Sequence, residues 1–192
     1  MSLGGIIGIV IVCVVAVVVI GLIAWWIGSK NTIARMEVKI EESLSGIDVA
    51  LEKRFDLLTK MFDITKGYAK HEKETLAQVI GMRTDKLPSN MSSKDMQDLT
   101  AKLTSAANNI NLVAEQYPEL KANTVFIELQ KASRDAEEHL QAARRVYNSN
   151  VSAYNQYIRV WPSSIPARSL GCQEKEFFEV EEGKREDVKM DF

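Results

Sequence analysis

The sequence predicts an all-α protein: an N-terminal transmembrane helix continuing into an antiparallel long-helix bundle of the four-helix type, with an extended C-terminal tail. Three observations predict it. An unbroken apolar run fills positions 6–27, and every charged side chain lies beyond Gly28. Between Asn31 and Trp161 apolar residues recur at steps of three and four, the signature of one helix face. Over that stretch the only prolines are Pro88 and Pro118. The expected divisions are 1–29 for the N-terminal segment and anchor, 30–161 for the helical bundle, and 162–192 for an acidic and aromatic tail.

The run from Ile6 to Ile27 has 22 residues. At a rise of 1.5 Å per residue it reaches about 33 Å, enough for a hydrocarbon core of about 30 Å. Fifteen of its residues are Ile, Val or Leu. At a few tenths of a kcal/mol each, they favour insertion by about 5 kcal/mol. A cleaved signal peptide would carry a basic start, a shorter apolar stretch and a small-residue cleavage site. Met1–Gly5 has no basic side chain and no A-x-A-like pattern follows the run, so an uncleaved anchor is expected. Trp25 and Trp26 close the run as interfacial aromatics do, with Lys30 just beyond them. Lys30, Arg35 and Lys39 crowd the C-terminal flank, so the positive-inside rule predicts a single-pass cell-membrane protein with its short N-terminus outside and its C-terminal domain in the cytoplasm. Gly4 with Gly8, and Ala24 with Gly28, have the small-x-x-x-small spacing that lets spans pack closely. Cys13 lies in the span and Cys172 in the tail, so no disulfide framework is expected.

Beyond the anchor, Ile33, Met36, Ile40, Leu44, Ile47, Leu51, Phe55, Leu58 and Phe62 follow steps of three, four and four. That is a period of about 3.67 residues per turn, which suits a long helix facing a broad core better than a heptad seam. A helix unbroken from Ile6 to about Ala69 would form a rod about 100 Å long. Lys70–Glu74 interrupts the pattern, and a short helix is expected around Leu76, Val79 and Ile80. The segment 86–93, with Pro88 and several Ser and Asn residues, reads as a loop. Ser92 followed three residues later by Asp95 resembles a capping box opening a third helix. Its stripe is Met96, Leu99, Leu103, Ala106, Ile110, Val113 and Tyr117, with Pro118 as its stop. A fourth helix opens near Asn123 and carries Phe126, Leu129, Ser133, Ala136, Leu140, Ala143, Tyr147, Val151, Tyr154 and Ile158 to Trp161-Pro162. Long helices with short connections imply up-and-down packing. Phe177, Phe178, Val188 and Phe192 make the tail apolar enough to dock as a strap.

Little in the chain points to catalysis. The two histidines are His71 and His139. His71-Glu72 begins like H-E-x-x-H, but Thr75 stands where the second zinc ligand belongs. Glycine-rich phosphate loops, Cys-x-x-Cys pairs and G-x-S-x-G elbows are all missing from the sequence. Asp56, Asp63 and Glu74 have no spacing that specifies a shared metal face. A net charge of −2 with interleaved signs removes the long-range attraction to phosphate that nucleic-acid binding needs. Cofactors, metals and nucleic acid are therefore not expected. Tyr147-Asn148 and Tyr154-Asn155 stand seven residues apart, so both pairs share a helix face. Amphipathic tyrosines suit a bundle edge, and the same residues suit a polar ladder that sets helix register or binds a neighbouring chain.

Three segments together resemble the LemA family. The first is Ile47-Asp48-Val49, Lys53-Arg54-Phe55-Asp56-Leu57-Leu58, and Lys66-Gly67-Tyr68-Ala69 with His71-Glu72 and Glu74-Thr75-Leu76. The second is Tyr117-Pro118-Glu119-Leu120-Lys121-Ala122-Asn123 with Phe126, Glu128, Leu129 and Gln130. The third is Ala143-Arg144, Tyr147-Asn148, Val151, Tyr154-Asn155, Trp161-Pro162 and Phe177-Phe178-Glu179. Thr59-Lys60 replaces the family's usual Pro-Asn, which implies a straighter helix there. Ser133 takes a usually apolar position, and Trp161 stands for the usual Phe. The resemblance implies a single-span membrane protein with a mostly helical cytoplasmic domain and no established enzymatic activity. Relatives are often encoded near a membrane metalloprotease, and one branch serves in magnetosome membrane formation.

Two functions follow as expectations. One is a non-enzymatic, bilayer-anchored and homo-oligomeric scaffold in envelope or membrane organisation. The other is an adaptor or regulator of a membrane protease or another envelope protein, with the tail from Glu174 to Phe192 as its contact.

Overall fold

The computed structural model describes residues 3–68 and 92–178, and all of its regular structure is helical. Five helices are present among them: α1 (Leu3–Tyr68), α2 (Ser93–Gln116), α3 (Pro118–Lys121), α4 (Thr124–Arg159) and α5 (Ser164–Ser169). The short helix expected around Leu76, Val79 and Ile80, the polar junction Lys70–Glu74 and the loop around Pro88 lie outside the described residues. By internal packing the chain divides into two compact units. The first is Met1–Glu41 with Asn150–Glu176, and the second is Glu42–Ser149 with Phe177–Phe192.

α1 contains both the apolar run and the stripe beyond it, with no break at Gly28-Ser29. Thr32 bridges that junction by donating its hydroxyl to the Gly28 carbonyl at 2.9 Å. At Thr59-Lys60 the helix also continues, and Thr59 Oγ1 donates to the Phe55 carbonyl at 2.9 Å. A proline there would have removed an amide donor and clashed with the preceding turn.

Ile33, Ile40, Ile47, Leu51, Leu58 and Phe62 of the expected eleven-residue stripe are buried, and a second line of buried positions runs along α1 beside it. Ser29, Ile33, Ile40, Ser43, Ile47, Ala50 and Arg54 are buried, and Met36 is half-buried between them. Those positions alternate steps of four and three, as in a heptad seam. Leu44 and Phe55, which the apolar pattern counted, are half-buried at its flank. The seam escaped the pattern because serine, alanine and arginine occupy some of its positions.

Within the first unit, α4 runs antiparallel to α1. Asn150 Nδ2 donates to the Lys39 carbonyl at 3.2 Å, and Tyr154 Oη to Glu37 Oε1 at 3.3 Å. After α4 the Trp161–Pro162 peptide is cis. α5 follows, ending in a Schellman arrangement: Gly171 N–H donates to the Arg168 carbonyl at 3.1 Å and Cys172 N–H to the Ala167 carbonyl at 3.0 Å. Gly171 has φ +67°, the left-handed conformation that this cap needs and glycine adopts without strain. The tail read as extended thus begins with a short helix and runs without regular structure from Cys172 to Phe178.

In the second unit α4 again opposes α1, with Arg54 facing Glu137 and Asn123 Nδ2 at 3.4 Å from Tyr68 Oη. α2 opens with the expected capping box. Asp95 N–H donates to Ser92 Oγ at 3.2 Å, and Ser92 N–H donates to Asp95 Oδ2 at 3.1 Å. Its buried line is Met96, Thr100, Leu103, Ala106, Ile110, Val113 and Ala114. Pro118 does more than stop α2, since it also opens the one-turn α3, where a missing N–H is harmless at the first helical position. Asn123 then caps α4 by accepting from Phe126 N–H at 3.2 Å.

Candidate functional site

Two polar arrangements stand out in the second unit. The first is a charged cluster inside the helices. Arg54 is buried, and its Nη1 pairs with Glu137 Oε2 at 2.7 Å. Its Nη2 donates to Thr104 Oγ1 at 3.2 Å, so one guanidinium joins α1, α2 and α4. The same Thr104 hydroxyl donates onward to the Thr100 carbonyl at 2.9 Å. Glu137 keeps more contact with solvent than Arg54, with side-chain exposures of 27% and 5%. Beside the pair is a cavity of about 150 Å³ lined by Leu58, Met61, Ala107, Asn111, Gln130 and Ser133 among others. Gln130 Nε2 donates to Asn111 Oδ1 at 3.0 Å along its wall. The cluster neutralises its own charge and ties three helices together.

The second arrangement grips the tail. The Asn148 side-chain amide pairs at both ends with the backbone of Phe178: Nδ2 donates to the Phe178 carbonyl at 2.9 Å, and Phe178 N–H donates to Oδ1 at 2.7 Å. The Phe178 ring is 2% exposed and meets Tyr147 edge to face, with centroids 6.3 Å apart and planes at 82°. Arg144 Cζ sits 4.9 Å from the Phe178 ring centroid, within cation–π range. Burying such a ring contributes about 2–3 kcal/mol. Phe177 next to it stays exposed.

The first unit has its own two-point pair, between Asn155 and Lys175. Asn155 Nδ2 donates to the Lys175 carbonyl at 2.9 Å, and Lys175 N–H donates to Asn155 Oδ1 at 2.9 Å. Arg159 binds Glu174 through Nε and Nη2. Tyr154 is buried beside Cys172 and Glu37, and burial first, then those neighbours, push its phenol above the ordinary 10. The four residues Tyr147, Asn148, Tyr154 and Asn155 thus meet partners within their own chain.

The remaining site residues belong to the span. Trp25 and Trp26 are half-buried, with ring centroids 6.4 Å apart at 71°, and Lys30 is exposed. Ala24 is exposed, and nothing approaches within 4 Å of a Cβ built on Gly8 or Gly28. Gly4 lies in the first turns of α1. From Ile6 to Ala24 every side chain is exposed, and the helix is long and apolar enough to cross a membrane. His71 lies outside the described residues, and His139 is exposed on α4. Among the described residues no three His, Cys, Asp or Glu side chains gather around a common metal position.

The pattern of apolar positions missed the Arg54 cluster. The available signal was position: Arg54 stands seven residues after Ile47 and fourteen after Ile40, on the same helix face.

Among the described residues these features define a class: an all-helical protein with one long apolar helix and a C-terminal segment clasped by asparagine amides. The LemA family model matches residues 43–192. Protein LemA of Metamycoplasma hominis is 27% identical over 163 residues, covering 85% of this chain and 74% of that protein. The chain belongs to the LemA family, which is not a known enzyme family.

Proposed function

We propose that this chain is a non-enzymatic, single-pass membrane protein acting as a homo-oligomeric scaffold in envelope or membrane organisation. The observation that carries the proposal is the continuity of α1, which passes from exposed apolar side chains at Ile6–Ala24 to a buried seam beginning at Ser29. A helix that is apolar on all sides and unburied suits lipid. One that then packs without a break hands the anchor directly to the folded part. Gly8 near one end of the span, and Ala24 with Gly28 near the other, are open small-residue positions, which suits close packing of a second copy. Lys30, Arg35 and Lys39 favour a cytoplasmic C-terminal flank with the N-terminus outside. A reporter active on one side only, fused after Phe192, tests the orientation: activity in the cytoplasm supports it and activity outside overturns it.

A second reading, an adaptor for a membrane protease or another envelope complex, draws support from exposed Phe177 in the acidic tail. Truncation before Glu174 should then remove a co-purifying partner. An unchanged set of partners would sink that version.

A further inference from the structure

We propose that the turn and short helix after α4, with Trp161 its most exposed apolar side chain, lie in the headgroup layer of the bilayer and form a second membrane contact beside the span. The inference rests on the reading of Ile6–Ile27 as the span.

Four large apolar side chains in residues 160–170 face outward: Val160 at 51% exposure, Trp161 at 77%, Ile165 at 48% and Leu170 at 43%. Single exposed apolar residues are ordinary, but a cluster headed by an indole marks a contact surface. Their exposure is not the result of loose structure. Ser163 Oγ sits at 2.5 Å from the Tyr157 carbonyl and 2.8 Å from the Val160 carbonyl. Ser163, Ser164, Pro166 and Ala167 are all buried, and Gly171 closes α5 with its cap. Small residues seat the segment, and the large ones point away.

The register of α4 on α1 says which occupant the patch meets. Tyr154 is level with Glu37, and Asn150 lies near Lys39. Val160 still donates its N–H to the Gln156 carbonyl at 3.1 Å, so the helical path persists to that point. Six residues beyond Tyr154 is about 9 Å along the axis. On the antiparallel α1 the same displacement from Glu37 arrives at Asn31. Trp161 therefore comes level with Lys30, about one turn from Trp26 and the end of the apolar run. That is the depth at which indoles settle, with the ring in the apolar boundary and its N–H toward water. Lys30 at that level is exposed, as is Arg168 on α5, and such cations suit lipid phosphates. A lipid surface fits because Trp161, Lys30 and the emerging span share one level.

The test uses the full chain in vesicles of phosphatidylcholine and phosphatidylglycerol. Trp25→Phe with Trp26→Phe leaves Trp161 as the sole indole, and Trp161→Phe leaves the other two. Emission is read with lipid bearing a nitroxide at the headgroup end of its acyl chain, and separately with acrylamide in the water. The expected result is a blue-shifted Trp161 that loses most of its emission to the lipid label, as Trp25 and Trp26 do. Lipid quenching of Trp25 and Trp26 combined with acrylamide quenching of Trp161 would overturn this proposal and leave the span standing. A Trp161 shielded from both quenchers would also overturn it, in favour of a protein occupant such as a second copy. Lipid quenching at neither site would remove the span reading and this proposal together. Ile165→Cys carrying an environment-sensitive dye, with Cys13→Ser and Cys172→Ser, gives the same readout without altering any tryptophan. A water-like dye spectrum there would count against the proposal.

Discussion

Asn148 holds Phe178 by both ends of its amide, donating to the Phe178 carbonyl and accepting from its N–H at 2.9 and 2.7 Å. The arrangement gives a backbone without regular neighbours a partner for each polar group, as a strand would. Asn148→Ala removes two bonds worth about 1 kcal/mol each, loosening a buried ring from its site. Chymotrypsin should then cut after Phe177 or Phe178 several-fold faster in the full-length protein. Unchanged cleavage would mean that contacts other than the Asn148 amide hold this part of the tail.

Arg54 and Glu137 differ in what each leaves behind when its partner is removed. Glu137→Ala strands a buried guanidinium and should cost about 3 kcal/mol. Arg54→Met leaves a carboxylate that still reaches water, so its effect should be smaller, at about 1–2 kcal/mol. The double variant Arg54→Met with Glu137→Ala should be milder than the sum of those two single changes. Denaturant unfolding of the four proteins measures the coupling, and strict additivity would show that the pair carries none.

The Ser92 hydroxyl and then its backbone N–H hold the Asp95 carboxyl below the ordinary 3.8. A carboxyl with a lowered folded pKa stabilises above its unfolded value and loses that contribution as pH falls through the folded value. Asp95→Asn should therefore differ from the parent at neutral pH and converge with it in acid below pH 3.8. Thermal unfolding followed by helix signal across that range checks the sign.

Tyr154 titrates in the opposite sense. Burial, with Cys172 and Glu37 beside it, favours the protonated phenol. The stability tied to its proton is complete below the unfolded value near 10 and is lost as pH rises toward the higher folded value. Tyr154→Phe should cost about 1 kcal/mol at neutral pH through the lost bond to Glu37. Its stability should also fall less steeply than the parent's in alkali. A parallel alkaline decline in both proteins would contradict the assignment to Tyr154.

Much of this fold was legible because its signals are local. The 22-residue apolar run, the Ser92–Asp95 box and the apolar stripe of α4 each state a conformation within a few turns of chain. What escaped depended on partners far away in sequence. Arg54 shares a helix face with Ile40 and Ile47 but carries a charge that hides this from an apolar pattern, and Thr104 and Glu137 draw it inside. Thr65 and Thr100 belong to no apolar stripe, yet both are buried, and each hydroxyl returns to a carbonyl of the preceding turn at 2.8 and 2.7 Å. Asn148 and Asn155 were recognisable as a face, but a register ladder, a neighbour's contact and a clasp on the chain's own tail look alike in sequence. Only the fold brings Phe178 and Lys175 to them.

The scaffold reading stands or falls on whether this chain associates with itself. The direct measurement is the mass of the intact full-length protein extracted gently from membrane, read by native mass spectrometry with bound lipid retained. A complex holding two or more copies, joined through Cys13 on oxidation of a Cys172→Ser variant, is the predicted result. A strict monomer with no Cys13 cross-link in the native membrane would contradict it.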